Sequence, residues 1–260
     1  MSFSRWLSTG GVLLALVVAG AIGSWFVSPA WTRIRQHDPA LNLAALEDAL
    51  GQGVTVALLG GFRSLVADFL WLANNAAWEA RNLPKSQSLI RLTTAVDPRP
   101  LYFWINGARM IAYDMPVWRI DEQSNRKVLT EKARRQVDCE QAEVALELLE
   151  AALRHHPSNP LVSIEIANIH LRRLGDVETA ARFYRAAASQ PGAPGFAARI
   201  HAELLKKLGR RKEALEWLVA HHRKLDPQDP AALAAVVLQR IRELEESLAI
   251  PRPERYQPGP

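Results

Sequence analysis

The chain has 260 residues, a formal net charge of +5 and 48% hydrophobic residues, enough apolar material for a sizeable core and too much for wholesale disorder. Its single cysteine, Cys139, excludes an intrachain disulfide framework and a cysteine-rich zinc site. Lysine and arginine are interleaved with glutamate and form no concentrated stripe, so the charge pattern gives no footing for a nucleic-acid partner.

Residues Gly10 to Val27 carry no charge, with Arg5 before them and Arg33 and Arg35 after. Such a run is at the short end of the roughly 17–25 residues that span a bilayer. Trp6, Trp25 and Trp31 suit the aromatic belts at its two surfaces. Two readings stand. One is an uncleaved signal anchor that crosses the cell membrane once through residues 10–27. The other is a cleaved signal peptide, with Val12–Val18 as its apolar stretch and Ala19-Gly20-Ala21 as the cleavage site, which would release a soluble exported protein. Apolar residues continue through Ile22, Trp25, Phe26 and Val27, which favours the anchor. The very short N-terminal tail leans the orientation towards an extracytoplasmic bulk. The anchor and its flanks occupy residues 1–37.

A helical connector is expected over 38–66. Asp38-Pro39 reads as an N-cap followed by proline at the first helical position, and Leu43, Leu46 and Leu50 follow at helical spacing. Val54–Trp78 is mostly apolar, interrupted by Gly60-Gly61, Arg63 and Asp68. It reads as a core helix or as a helix lying on a membrane surface.

A fixed period then emerges. Leu174-Gly175-Asp176 recurs as Leu208-Gly209-Arg210, Ala180 recurs as Ala214, and Pro157 recurs as Pro191, each 34 residues on. Within each period a small residue precedes a large apolar one by four and a second small one by seven: Ala145, Leu149 and Ala152; Ala180, Tyr184 and Ala187; Ala214 and Leu218, with His221 in the last place. Small side chains let two helices cross closely, glycine suits a turn of positive φ between them, and proline closes the second helix.

The period and these residues resemble the tetratricopeptide repeat family. The resemblance implies an all-α fold: an N-terminal transmembrane helix followed by a tetratricopeptide-type helical-hairpin solenoid. Residues 67–140 read as diverged units of this kind, with Trp71 and Trp78 in one first helix and Trp104, Gly107, Ala108 and Ile111 in the next. Residues 115–140 are an insertion or an extension of the helices. The repeats proper span 141–228, a capping helix with its charges outward spans 229–250, and a proline-rich disordered tail spans 251–260. Gly60, Gly61, Phe62, Arg63, Asp68, Trp71, Pro98 and Trp104 also resemble a group of bacterial single-pass membrane proteins that carry a Gly-Gly-Phe-Arg segment before such repeats. That likeness implies architecture and no particular reaction.

Motifs for chemistry are absent from the sequence: no zinc-protease helix, phosphate loop, dinucleotide fingerprint or nucleophile elbow. His155-His156 and His221-His222 are adjacent, so on a helix they diverge by about 100° and make poor metal pairs. Glu143, Glu147 and Glu150 read as a solvated helix face. No catalytic residue, cofactor or metal is therefore expected. The enzymatic alternative would need Arg63, Asp68, Asn74 and Arg109 to converge within 54–140.

Tetratricopeptide arrays bind peptides along the face made by their first helices. The resemblance places Tyr102, Arg109 and Tyr113, then Glu165, Ile169, Arg172 and Arg173, then Arg199, Glu203, Lys206 and Lys207 on that face. The expected function is a membrane-anchored protein-interaction scaffold, an assembly or accessory factor for an envelope complex or transporter. Its candidate groove residues are Tyr102, Arg109, Tyr113, Arg172, Arg173, Arg199, Lys206 and Lys207. The expected partners are the bilayer and a protein with an acidic segment.

Overall fold

The structure, a computed structural model, describes residues 61–124, 128–226 and 228–258. The anchor or signal segment at 10–27 and the connector up to residue 60 lie outside the described residues. Among the described residues all regular structure is helical, and no helix is long and apolar enough to cross a membrane. The chain divides into two units, one ending at Phe103 and the other running from Trp104 to Pro260.

In the N-terminal unit, α1 (Arg63–Glu79) begins inside the connector expected over 38–66. It buries Val66, Ala67, Leu70, Trp71, Asn74 and Ala77, a helical stripe, and leaves Phe62, Leu65, Phe69 and Leu72 exposed. Helix α2 (Leu83–Val96) starts at Asn82, whose Oδ1 accepts from the Lys85 amide at 3.2 Å, with Pro84 in the first turn. The two helices pack on each other. Ser86 Oγ donates to Oδ1 of the fully buried Asn74 at 2.7 Å, so the polar group inside this hairpin has its partner.

The end of α2 is tied to the start of α1 by Asp97. This buried carboxylate accepts from Arg99 Nε at 2.8 Å, from Arg99 Nη2 at 2.8 Å and from Ser64 Oγ at 2.9 Å. The bonds from Arg99, helped by Ser64 and opposed by burial, hold the Asp97 carboxyl down at about 2. Its ordinary value is 3.8, so the stabilisation is present above roughly pH 4 and is lost as pH falls towards 2. Asp97→Asn should flatten that part of the acid-unfolding curve followed by circular dichroism. An unchanged curve would show that the Asp97 bonds contribute nothing to stability.

In the C-terminal unit the described residues of the segment at 115–140 are helical over Met115–Ser124 and again from Glu131. Helix α3 (Leu101–Arg109), whose first residues belong to the N-terminal unit, runs through a π turn at Met110–Asp114 into α4 (Met115–Ser124). Helix α5 (Glu131–His155) follows, started by Thr130 Oγ1 accepting from the Ala133 amide. The boundary expected between 140 and 141 therefore falls inside one continuous helix. Next come α6 (Pro160–Ile169), a second π turn (His170–Leu174), α7 (Val177–Ala188), α8 (Gly195–Lys207), α9 (Arg211–His222) and α10 (Ala234–Ser247).

From α5 onward each helix packs against the next in sequence. Ala145, Ala180 and Ala214 are each fully buried, as are Leu149 and Leu218, and Tyr184 is nearly so. One core gathers Ile164, Ala180, Tyr184, Ala197 and Leu204 from α6, α7 and α8. A second gathers Ala202, Leu205, Ala214, Leu218, Val237, Ile241 and Leu244 from α8, α9 and α10.

Two expectations at the C-terminal end are corrected. Glu245 of the capping helix points inward, not outward, and is buried; it accepts from Arg242 Nη1 at 2.7 Å and from the Tyr256 amide at 2.6 Å. Residues 251–258 are not a disordered tail. Tyr256 packs against the second core, its ring edge-on to His222 at 5.6 Å and under the Arg223 guanidinium. An aromatic ring and a buried carboxylate outweigh the breaking effect of the nearby prolines.

Gly175 and Gly209 end equivalent stretches with φ of 71° and 77°, in the left-handed region that L side chains resist. A Cβ at Gly209 would meet nothing within 4 Å, so replacing it tests the backbone alone. Gly209→Ala should lower stability by about 1–2 kcal/mol, and Gly209→Asn by less, in urea denaturation.

Candidate functional site

The candidate residues fall into three places. Tyr102 belongs to the N-terminal unit; its exposed ring stands edge-on to Trp71 at 5.5 Å. The other seven belong to the C-terminal unit, where they form two groups.

The first group gathers at the ends of α3 and α6, where both helices widen into π turns. A π turn inserts one residue and so rotates the side chains after it, a distortion often found at functional sites. Arg109 Nε and Nη2 both donate to Glu165 Oε2, at 3.0 and 2.8 Å, and Glu165 is only 2% exposed. The Arg173 guanidinium donates to Asp138 of α5 and lies over the Tyr113 ring, 5.6 Å from its centre. Beside them Tyr184 Oη donates to Asn168 Oδ1 at 2.6 Å. Burial pushes the Tyr113 hydroxyl up, and Glu165 adds to this while Arg172, Arg173 and Arg109 oppose it. Burial also raises Tyr184, against the pull of Arg172. Both phenols are therefore neutral donors, and Arg172 stands exposed beside them.

The second group lies on α8. Lys206 Nζ pairs with Glu203 Oε2 at 3.0 Å, and Glu203 Oε1 pairs with Arg240 of α10 at 3.2 Å. Between α8 and α10 runs an open groove of about 420 Å³, lined by Glu203, Lys206, Val236, Gln239, Arg240 and Glu243. Lys207 is exposed. Arg199 is partly covered, and its Nη1 is buried without an acceptor.

The face is therefore less uniformly basic than its sequence. Arg109, Arg173 and Lys206 each have a carboxylate, and Ile169, expected on the face, is fully buried. Asp138, Asn168, Tyr184 and Arg240 were not expected at the site. Asp138 precedes the patterned residues of α5, and Arg240 sits in the capping helix, which the repeat pattern does not cover.

A second concavity opens on the face of α7 and α9. Here His201, buried, sits with Nδ1 2.8 Å from the Ala181 carbonyl oxygen and its ring edge-on to Trp217 at 4.7 Å. Arg185 lies over the same indole. Burial pushes the His201 imidazole down, so it is neutral at pH 7.

The histidine pairs diverge: His155 stacks on Trp104 at 5.6 Å, and His222 Nδ1 lies 3.1 Å from Tyr256 Oη. Among the described residues no three histidine, cysteine or acidic side chains are grouped to hold a metal ion. On α1, Arg63 and Asp68 are exposed while Asn74 is buried, so these three do not converge. No protein-family model matches the chain, and no curated protein matches it.

Glu165 is buried and its partner comes from another helix. Arg109→Met should therefore cost about 2 kcal/mol or more, by leaving a carboxylate in the interior without its guanidinium. The double variant Arg109→Met with Glu165→Met should recover most of that loss in urea denaturation. Equal stability of the single variant and the parent would show that solvent already satisfies Glu165.

Proposed function

We propose that the chain is a membrane-tethered interaction scaffold of the tetratricopeptide type, with its bulk outside the cytoplasm and its first-helix face as the docking surface for an acidic segment of another protein. The observation that carries the reading is the recurrence at 34 residues. Gly175 and Gly209 both turn left-handed at the end of a first helix, and Ala180 and Ala214 are both fully buried in the second. A hairpin of this kind hides its apolar face only against its neighbours, which suits an extended surface for binding a chain. The uncharged stretch 10–27 supports the tether, which would raise the local concentration of membrane-bound partners.

The polar groups of the site support binding over catalysis. Tyr113 and Tyr184 are neutral donors, and the carboxylates of Glu165, Asp138 and Glu203 are each engaged by a cation. None of these is a base poised beside a nucleophile.

Arg172 and Lys207 are the exposed cations to test, since reversing Arg173 or Lys206 would also break a pair inside the fold. Arg172→Glu combined with Lys207→Glu should reduce crosslinked partner captured from membranes by about tenfold, as expected for charge reversal at a complementary surface. Capture equal to the parent's would overturn the reading.

A further inference from the structure

Helix α1 has two apolar faces, and α2 accounts for one of them. Val66, Ala67, Leu70, Trp71 and Ala77 are buried, and the two helices pack on each other. Phe62, just before the helix, and Leu65, Phe69 and Leu72 within it are 50–61% exposed. At a step of about 100° per residue these four fall within one arc of about 80°. Ala76, also exposed, lies in the middle of the same arc. Asp68 and Glu79, both exposed, border it on one side. The two sequence readings of this helix, core helix and membrane-surface helix, thus correspond to two sides of one cylinder.

The size of the stripe narrows what could cover it. A whole phenylalanine offers roughly 200 Å² and a leucine slightly less, so the four residues expose roughly 400 Å² of apolar surface. A patch of about 300–600 Å² is the largest on a typical monomer and often serves a function. Two copies placed stripe to stripe would cover about 800 Å², short of the ~1,200 Å² at which stable interfaces begin. A lipid surface requires no matching pocket, and a row of phenylalanine and leucine edged by charged groups suits a helix lying in the interfacial plane. The charge agrees: residues 61–103 carry five arginines or lysines and three aspartates or glutamates, a net +2 that favours anionic headgroups. Only residues 28–60 separate the stripe from the uncharged stretch 10–27. A tether there would keep α1 beside the bilayer, where a patch too small to bind alone is effectively concentrated.

We propose that α1 lies on an anionic bilayer surface, with Phe62, Leu65, Phe69 and Leu72 inserted at the boundary between headgroups and acyl chains and Asp68 left in water. This contact presupposes the tether proposed above and adds to it a second, non-spanning attachment to the membrane.

The test uses the full chain carrying Cys139→Ser, reconstituted in vesicles of phosphatidylcholine mixed with phosphatidylglycerol. Leu65→Cys, Phe69→Cys and Leu72→Cys each receive a nitroxide label, and the exposed Lys85→Cys serves as the aqueous reference. Electron paramagnetic resonance reads collisions with oxygen, which concentrates in lipid, and with a neutral nickel chelate, which stays in water. The oxygen-to-nickel ratio at the three stripe positions should exceed the reference several-fold. Adding Phe69→Glu and Leu72→Glu should return the label at Leu65→Cys to the reference ratio. Frequent nickel collisions along the stripe would place it in water, and infrequent collisions with both reagents would place it under protein, whether a second copy or another part of the chain. Either result overturns the proposal. A label at Val18→Cys reports on the tether separately. Lipid-like collisions there, with a stripe in water or under protein, sink the α1 contact alone; aqueous collisions there remove the tether reading, whatever the stripe shows.

Discussion

Methyl-sized side chains at helix crossings are the constraint on which the C-terminal unit depends. Ala145, Ala180 and Ala214 have no exposed surface, and each lies in the second helix of a pair. Helix axes approach to about 8–10 Å only where one partner is small. A leucine at these places would push the axes apart, and the error would carry into the next pair, because consecutive helices share cores. Ala197 and Leu204 of α8 belong to one core while Ala202 and Leu205 of the same helix belong to the next. Helix α8 is thus held from both sides, and the position of every groove residue on it follows from the alanines on its neighbours.

On that scaffold the charges sort themselves by partner. Arg109 reaches Glu165 from 56 residues away, Arg173 reaches Asp138 from 35, and Arg240 reaches back to Glu203. Such pairs fix the helices in register with one another, and each removes a cation from the total available to a ligand. What remains for recognition is therefore sparse and placed: Arg172 beside two neutral phenols and Lys207 in solvent. On the proposed reading, a surface of that kind would select by where a carboxylate stands along a segment, which a uniform basic stripe would not do.

The sequence makes the repeats legible because backbone geometry restricts residue choice. Positive φ at Gly175 and Gly209 favours glycine, and the tight crossings favour alanine, so a period of 34 shows through divergent surroundings. It does not make the charge pairs legible. Asp138 lies in α5 seven residues before Ala145, the first residue that the pattern marks there, and nothing local marks Arg173 as its partner. The π turns at Met110–Asp114 and His170–Leu174 are also silent in the sequence, although they decide which way Tyr113 and Arg173 face. The capping helix is a third case. Composition pointed its charges outward, but Glu245 is inside, because the Tyr256 amide and Arg242 supply its oxygens with donors there.

That last departure bears on how a partner can approach. Tyr256 lies against the core built from Leu218, Val237 and Ile241, and its amide and hydroxyl are tied to Glu245 and His222. The residues after α10 thus seal the end of the helix stack with polar groups that are already paired. A further hairpin stacking there would have to displace Tyr256 and leave the Glu245 carboxylate without its amide donor, at a cost comparable to breaking any buried charged hydrogen bond. Growth of the stack at this end is disfavoured by the same contacts that order it, and the proposed docking would use the sides of the stack. On one of those sides lies the row of first helices carrying Arg172, Arg199 and Lys207.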